Sequence, residues 1–151
     1  MRIWVDADAC PNAIKEVVFR AAERLGIDTV LVANHHVRVP PSKFLRALQV
    51  PAGFDVADRT IAEQLGPGDL VITGDIPLAA DVVSRAGTGL DPRGTLYTAE
   101  NIHDHLARRD LMAQLRDEGT ITSRSNALGK KDVQAFANQL DRYLAANARR
   151  S

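Results

Sequence analysis

Ile3-Trp4-Val5-Asp6-Ala7-Asp8, near the start of the chain, and Leu70-Val71-Ile72-Thr73-Gly74-Asp75, near its middle, decide the fold. Each is a short apolar run that ends in carboxylates. A run that is apolar at every position reads as a strand buried on both faces, the mark of a parallel sheet covered by helices. Residues 29–33 form a third such run.

Helical patterns lie between the strands. Pro11 suits the first position of a helix. Ile14, Val17, Val18, Ala21, Ala22 and Leu25 then recur on one face until Gly26 stops it. Residues 34–53 carry Pro40, Pro41 and Pro51 and read as a loop, with one short strand near 44–50. A short helix follows over 55–65, closed by Gly66-Pro67-Gly68. Leu78, Val82, Val83 and Ala86 mark the next helix, and residues 88–90 a last short strand. Thr98 is placed to cap a long helix carrying Ile102, Leu106, Leu111 and Leu115 to Gly119. Residues 120–129 are polar and read as a mobile connection to a final amphipathic helix with Val133, Phe136, Leu140 and Leu144.

Alternating strands and helices without an internal repeat predict one three-layer α/β domain over residues 1–151. Its sheet is mostly parallel, of four or five strands, with helices on both faces. A C-terminal helical segment, about residues 98–147, packs on it.

Bulk properties exclude several classes. The chain has 151 residues, enough for one core without staples. A single cysteine, Cys10, excludes an intramolecular disulfide and a cysteine-based zinc cluster. No apolar run approaches membrane-spanning length, and no charged segment with a hydrophobic stretch precedes the first strand, so a cytoplasmic protein is expected. With 19 basic and 19 acidic side chains the net charge is zero, which gives no overall pull toward nucleic acid.

The chemistry sits at the strand ends. If the extended chain continues to Asp8, period-two geometry points Asp6 and Asp8 the same way. In open α/β sheets ligands bind outside the carboxyl ends of the strands, where strand order reverses. Neighbouring placement of the two apolar strands would bring Asp6, Asp8 and Asp75 together. Such carboxylates repel one another and raise one another's pKa, a conflict that a hard cation removes. Oxygen-only surroundings suit Mg²⁺ or Mn²⁺ better than zinc. Taken singly, each aspartate also suits a turn or a helix cap. Asp55 or Asp58 supplies a further carboxylate while the other caps the helix, and Asp81 reads as a surface charge.

At these residues the chain resembles a known family. Val5-Asp6-Ala7-Asp8-Ala9-Cys10-Pro11, Asp55-Val56-Ala57-Asp58, Val71-Ile72-Thr73-Gly74-Asp75-Ile76-Pro77-Leu78-Ala79 and Pro92-Arg93-Gly94 resemble the YaiI/YqxD family. That family is similar to the PIN-like nucleases, which have a Rossmann-like sheet and acidic metal sites. The resemblance implies a metal-dependent nuclease acting on RNA or DNA. Asp6 matches the acid closing the first strand, Thr73-Gly74-Asp75 matches a Thr-x-Asp after the fourth, and Asp55 or Asp58 stands for the intermediate acid. Family members carry Gly-Gly-Pro before the last helix where this chain has Ser125-Asn126-Ala127, so the resemblance assigns that loop no role.

Substrate contacts are expected from Asn34, which follows the second strand, from Arg93, held in a turn, and from Lys130 and Lys131. Cys10, at a helix start, reads as a packing residue, with a thiolate the competing role. Two other functions remain open. Haloacid-dehalogenase-like phosphatases also show Asp-x-Asp and a later Gly-Asp, but need a lysine before that acid, and only Lys15 and Lys43 precede it. A non-catalytic module holding RNA or a protein is the other, although exposed aromatic platforms for single strands are not evident.

Overall fold

The computed structural model describes residues 1–119 and 127–147. Among them six strands form one sheet: β1 (Ile3–Asp6), β2 (Thr29–Ala33), β3 (Leu45–Gln49), β4 (Leu70–Ile72), β5 (Thr88–Leu90) and β6 (Leu96–Tyr97). Five α-helices of the described residues accompany them: α1 (Asn12–Leu25), α2 (Val56–Gln64), α3 (Ile76–Ser84), α4 (Ile102–Asp117) and α5 (Lys130–Asn147). The spatial order is β3-β2-β1-β4-β5-β6, parallel from β3 through β5, with β6 antiparallel to β5. The sheet exceeds the expected four or five strands because β6 is only two residues long, too short to show a period.

Strand alternation sorts the core. Ile3 and Val5 of β1, Leu31 of β2, and Leu70 and Ile72 of β4 share one cluster with Ile14 and Val18 of α1 and with Phe136 and Leu140 of α5. Trp4, Val30, Val32 and Val71 face the other way, against Ile61 of α2 and Leu78 and Val82 of α3. Helices therefore cover both faces, as the doubly apolar strands require. Among the described residues no helix is long and apolar enough to cross a membrane.

The sequence reading and the structure part at helix ends. Pro11 sits at the N-cap of α1, one place before its first turn, and Leu25 is exposed where an inward position was expected. Asn101, not Thr98, stands at the N-cap of α4; its Oδ1 accepts the Thr98 N–H at 2.9 Å. Ile102 is buried against Ala79 and Tyr97, but Leu111 is 54% exposed because α4 packs on α3 only through its first turns. The connection expected over 120–129 falls on residues 120–126, outside the described residues, as do Arg124, Ser125 and Asn126.

Two ion pairs join the C-terminal helix to the rest of the domain. Arg24 of α1 donates to Asp141 at 2.9 Å. At its start, Arg93 donates to Asp132 at 2.8 Å, and the turn holding Arg93 comes so close that a Cβ on Gly94 would lie 2.9 Å from the Ala135 carbonyl. With φ at +96°, that position needs glycine on both counts.

Candidate functional site

From β1 the chain runs outward to β2 and β3, then returns to place β4 on the other side of β1. The β1/β4 boundary is thus the topological switch point, and the crevice beyond its carboxyl end is where such sheets bind ligands. Asp6 closes β1 at this edge, and Thr73-Gly74-Asp75 leads from β4 into α3. Asp6 is in phase with Trp4, so it continues the α2/α3 face.

A short hydrogen-bond chain joins the two strand ends. The Thr73 hydroxyl donates to Asp6 Oδ2 at 3.0 Å and accepts the Asp75 N–H at 3.0 Å. Asp75 caps α3, accepting the Leu78 N–H at 3.0 Å. Asp58, in the first turn of α2, lines the same cavity as Asp75 and feels its charge. Carboxylates gathered around one cavity repel one another, a conflict that a proton or a cation relieves.

The electrostatics record that crowding. Burial, then the charges of Asp6, Asp75 and Asp55, push Asp58 up to about 6. Asp6 is 7% exposed. Burial raises its pKa, the Thr73 hydroxyl opposes this, and Asp75 and Asp8 raise it further.

Asp55 and Asp58 sit in different settings on α2. Asp58 is half-buried and feels the charges of Asp6 and Asp75, whereas Asp55 occupies the α2 N-cap in the left-handed region at φ 61° and is exposed. Asp55 still borders the same cavity, which holds about 420 Å³ and is lined also by Asp58, Asp75, Arg59, Arg109 and Phe54. Asp81, read as a surface charge, pairs with Arg85 at 3.2 Å while reaching this cavity's edge. A second cavity, of about 460 Å³, continues from Asp75 and Arg109 past Gly74 and Ala9.

Asp8 departs from the expected geometry. The extended chain ends at Asp6, and residues 7–9 form a single 3-10 turn. Asp8 is carried toward the end of β2, where its carboxylate accepts the Asn34 N–H at 2.9 Å and lies against His35 Nδ1. It acts on Asp6 through its charge, but its oxygens are engaged away from Asp75. Asp6, Asp8 and Asp75 therefore do not converge as three ligands around one point.

The expected substrate contacts lie elsewhere too. Asn34, Arg93, Lys130 and Lys131 do not line either acidic cavity. Arg93 is engaged by Asp132, and Lys130 and Lys131 are exposed in the first turn of α5. Cys10 is buried in the core and burial pushes its thiol up to about 12, which suits packing and opposes a thiolate. The residues that sequence reasoning missed are Arg59, Arg109 and Phe54. Arg59 and Arg109 sit among exposed helical charges with no local signal, and only the packing of α4 on α3 brings Arg109 to Asp75.

The donor set is all oxygen. Among the described residues no three Asp, Glu, His or Cys side chains form a ready-made metal cage. Mg²⁺ does not require one, since it is commonly held by one or two carboxylates together with water and substrate phosphates. The Asp58–Asp75 pair, with Asp6 beside it, fits that open arrangement; it does not fit a closed calcium or zinc site.

The sequence profile described as "Uncharacterized BCR, YaiI/YqxD family" matches residues 4–146. The UPF0178 protein of Janthinobacterium sp. (strain Marseille) is 58% identical over 145 residues, covering 96% of each chain. That of Halorhodospira halophila is 59% identical, again over 96% of each chain. A third, from Thioalkalivibrio sulfidiphilus, is 58% identical over 96% of this chain and 99% of its own length. No solved structure matches the chain significantly.

Proposed function

The chain belongs to the YaiI/YqxD family, and from its acidic crevice we propose a divalent-metal-dependent nuclease that hydrolyses phosphodiester bonds of RNA or DNA. The observation that carries this reading is the placing of Asp58 and Asp75 on one cavity, with Thr73 linking Asp75 to Asp6 at the β1/β4 switch point. Asp58 and Asp75 would hold Mg²⁺ or Mn²⁺ from the two sides of the cavity they line, with Asp6 adding charge beside them. When bound, the cation supplies Lewis acidity toward a phosphoryl oxygen and lowers the pKa of a nearby water.

The protein's own groups do the rest. Thr73 holds Asp6 and the Asp75 backbone in register through its two hydrogen bonds. Arg59 and Arg109, on the same cavity, grip the phosphate and spread its charge, a task to which planar guanidinium groups are suited. Asp8 serves as a neighbouring negative charge and fixes the Asn34 loop.

Neither alternative is favoured by an observation. A phosphatase of the haloacid-dehalogenase kind needs a lysine at the acid site. Lys15 lies instead on a cleft with His35 and His36, and Lys43 lies with Arg2 and Asp28. A non-catalytic module leaves unexplained a carboxyl pair crowded against a third acid.

Cleavage of labelled single-stranded and duplex oligonucleotides in Mn²⁺, against a chelator control, tests the proposal. The parent is expected to cleave only with metal, and Asp75→Asn to lose about a hundredfold or more. Absence of metal-dependent cleavage on every RNA and DNA form would contradict it.

A further inference from the structure

Phe54 is 91% exposed, against 54% for Leu111 and 45% for Leu25, the next most exposed large apolar side chains among the described residues. Burying a phenylalanine contributes roughly 1.5–3 kcal/mol, so a ring left in water forgoes a substantial stabilisation. Its position is specific. The Gly53-Phe54-Asp55 turn, with positive φ on both sides of Phe54, delivers the ring to the start of α2. There it borders the cavity that also holds Asp58, Asp75, Arg59 and Arg109.

We propose that Phe54 is a base-stacking platform, and that the strand entering the acidic cavity is single-stranded. This rests on the nuclease reading above and narrows its substrate. An aromatic ring next to carboxylates and two guanidinium groups matches a nucleotide, which offers a flat π face and an anionic phosphate together. A base inside a duplex is stacked on both faces and has none free for Phe54, whereas an unpaired base has. An apolar protein partner fits less well, because six of the eight other residues lining the cavity are charged, Pro77 and Leu78 being the exceptions.

The experiment is fluorescence anisotropy in Mn²⁺, with an end-labelled single-stranded phosphorothioate oligonucleotide and the same sequence as a duplex. Parent, Phe54→Ala and Phe54→Trp are compared, with Mn²⁺ affinity by calorimetry and self-association by sedimentation alongside. Phe54 packs against little, so the variants are expected to fold, which circular dichroism checks. Phe54→Ala is expected to weaken single-strand binding roughly ten- to hundredfold while sparing duplex and Mn²⁺ affinity, with Phe54→Trp retaining it. Unchanged single-strand affinity in Phe54→Ala would overturn the inference and leave the metal site standing. So would a parent that binds Mn²⁺ but no single strand. A parent that binds neither would remove both readings. Self-association lost in Phe54→Ala with strand affinity unchanged would instead assign the ring to an interface between copies.

Discussion

Asp58 and Asp75 line one cavity from different helices, one in the first turn of α2 and the other at the N-cap of α3. Neither helix needs the other's carboxylate to form. Their meeting beside Asp6 concentrates negative charge at the one edge where the sheet opens, and this is what a cation or a proton must relieve.

The pH dependence of stability follows from the burial of Asp58 among these acids. The carboxyl of Asp58 is raised from 3.8 to about 6 in the folded protein. A raised folded pKa contributes stability that is complete below the unfolded value and is lost as pH rises through the folded one. Metal-free protein is therefore expected to lose stability between roughly pH 4 and pH 6, and Asp58→Asn to show a flatter profile. Asp6, also raised, acts in the same direction. Urea denaturation midpoints across this range, in chelator, check the sign; stability that climbs over the window in the parent would be the wrong result.

Thr73→Val tests the hydrogen-bond chain without changing the shape of the site. The variant removes the hydroxyl that donates to Asp6 and accepts from the Asp75 N–H. Folding is expected to weaken by about 1–3 kcal/mol, because Asp6 and the Asp75 N–H lose a buried partner. Mn²⁺ affinity is expected to fall roughly ten- to hundredfold, the usual effect of losing a group that orients a metal ligand. Calorimetry and denaturation read the two effects separately.

Asp69 carries a structural role far from the chemistry. Its carboxylate accepts from Arg2 N–H at 3.0 Å, Trp4 Nε1 at 3.0 Å and Gly66 N–H at 2.8 Å, joining the start of β1 to the turn before β4. Asp69→Ala leaves these donors without that acceptor and is expected to cost about 2–3 kcal/mol. Denaturation followed by Trp4 fluorescence measures the loss, and Mn²⁺ affinity under native conditions is expected to be unchanged.

What could be read before folding was whatever a local pattern records. Asp6 and Asp75 were visible because each ends an apolar run, and β1 and β4 because no polar residue interrupts them. Asp8 was misplaced because nothing in Asp6-Ala7-Asp8 announces a 3-10 turn in place of extended chain. Asp55 and Asp58 differ by one helical turn, and only the left-handed backbone at Asp55 and the approach of α3 separate them. Arg109 comes from α4, whose position on α3 depends on Ile102 packing against Ala79 and Tyr97 across the sheet's far edge. Phe54 reads as an ordinary loop residue until its exposure is seen.

Calorimetric titration of Mn²⁺ into the parent, Asp58→Asn, Asp75→Asn and Asp8→Asn tests the central claim most directly. The account predicts binding in the parent with proton release near pH 6, since Asp58 must ionise to hold the cation. It predicts that Asp58→Asn and Asp75→Asn abolish or severely weaken that binding, while Asp8→Asn changes it only slightly. Binding that survives the loss of Asp58 and of Asp75, or that depends chiefly on Asp8, would contradict the assignment.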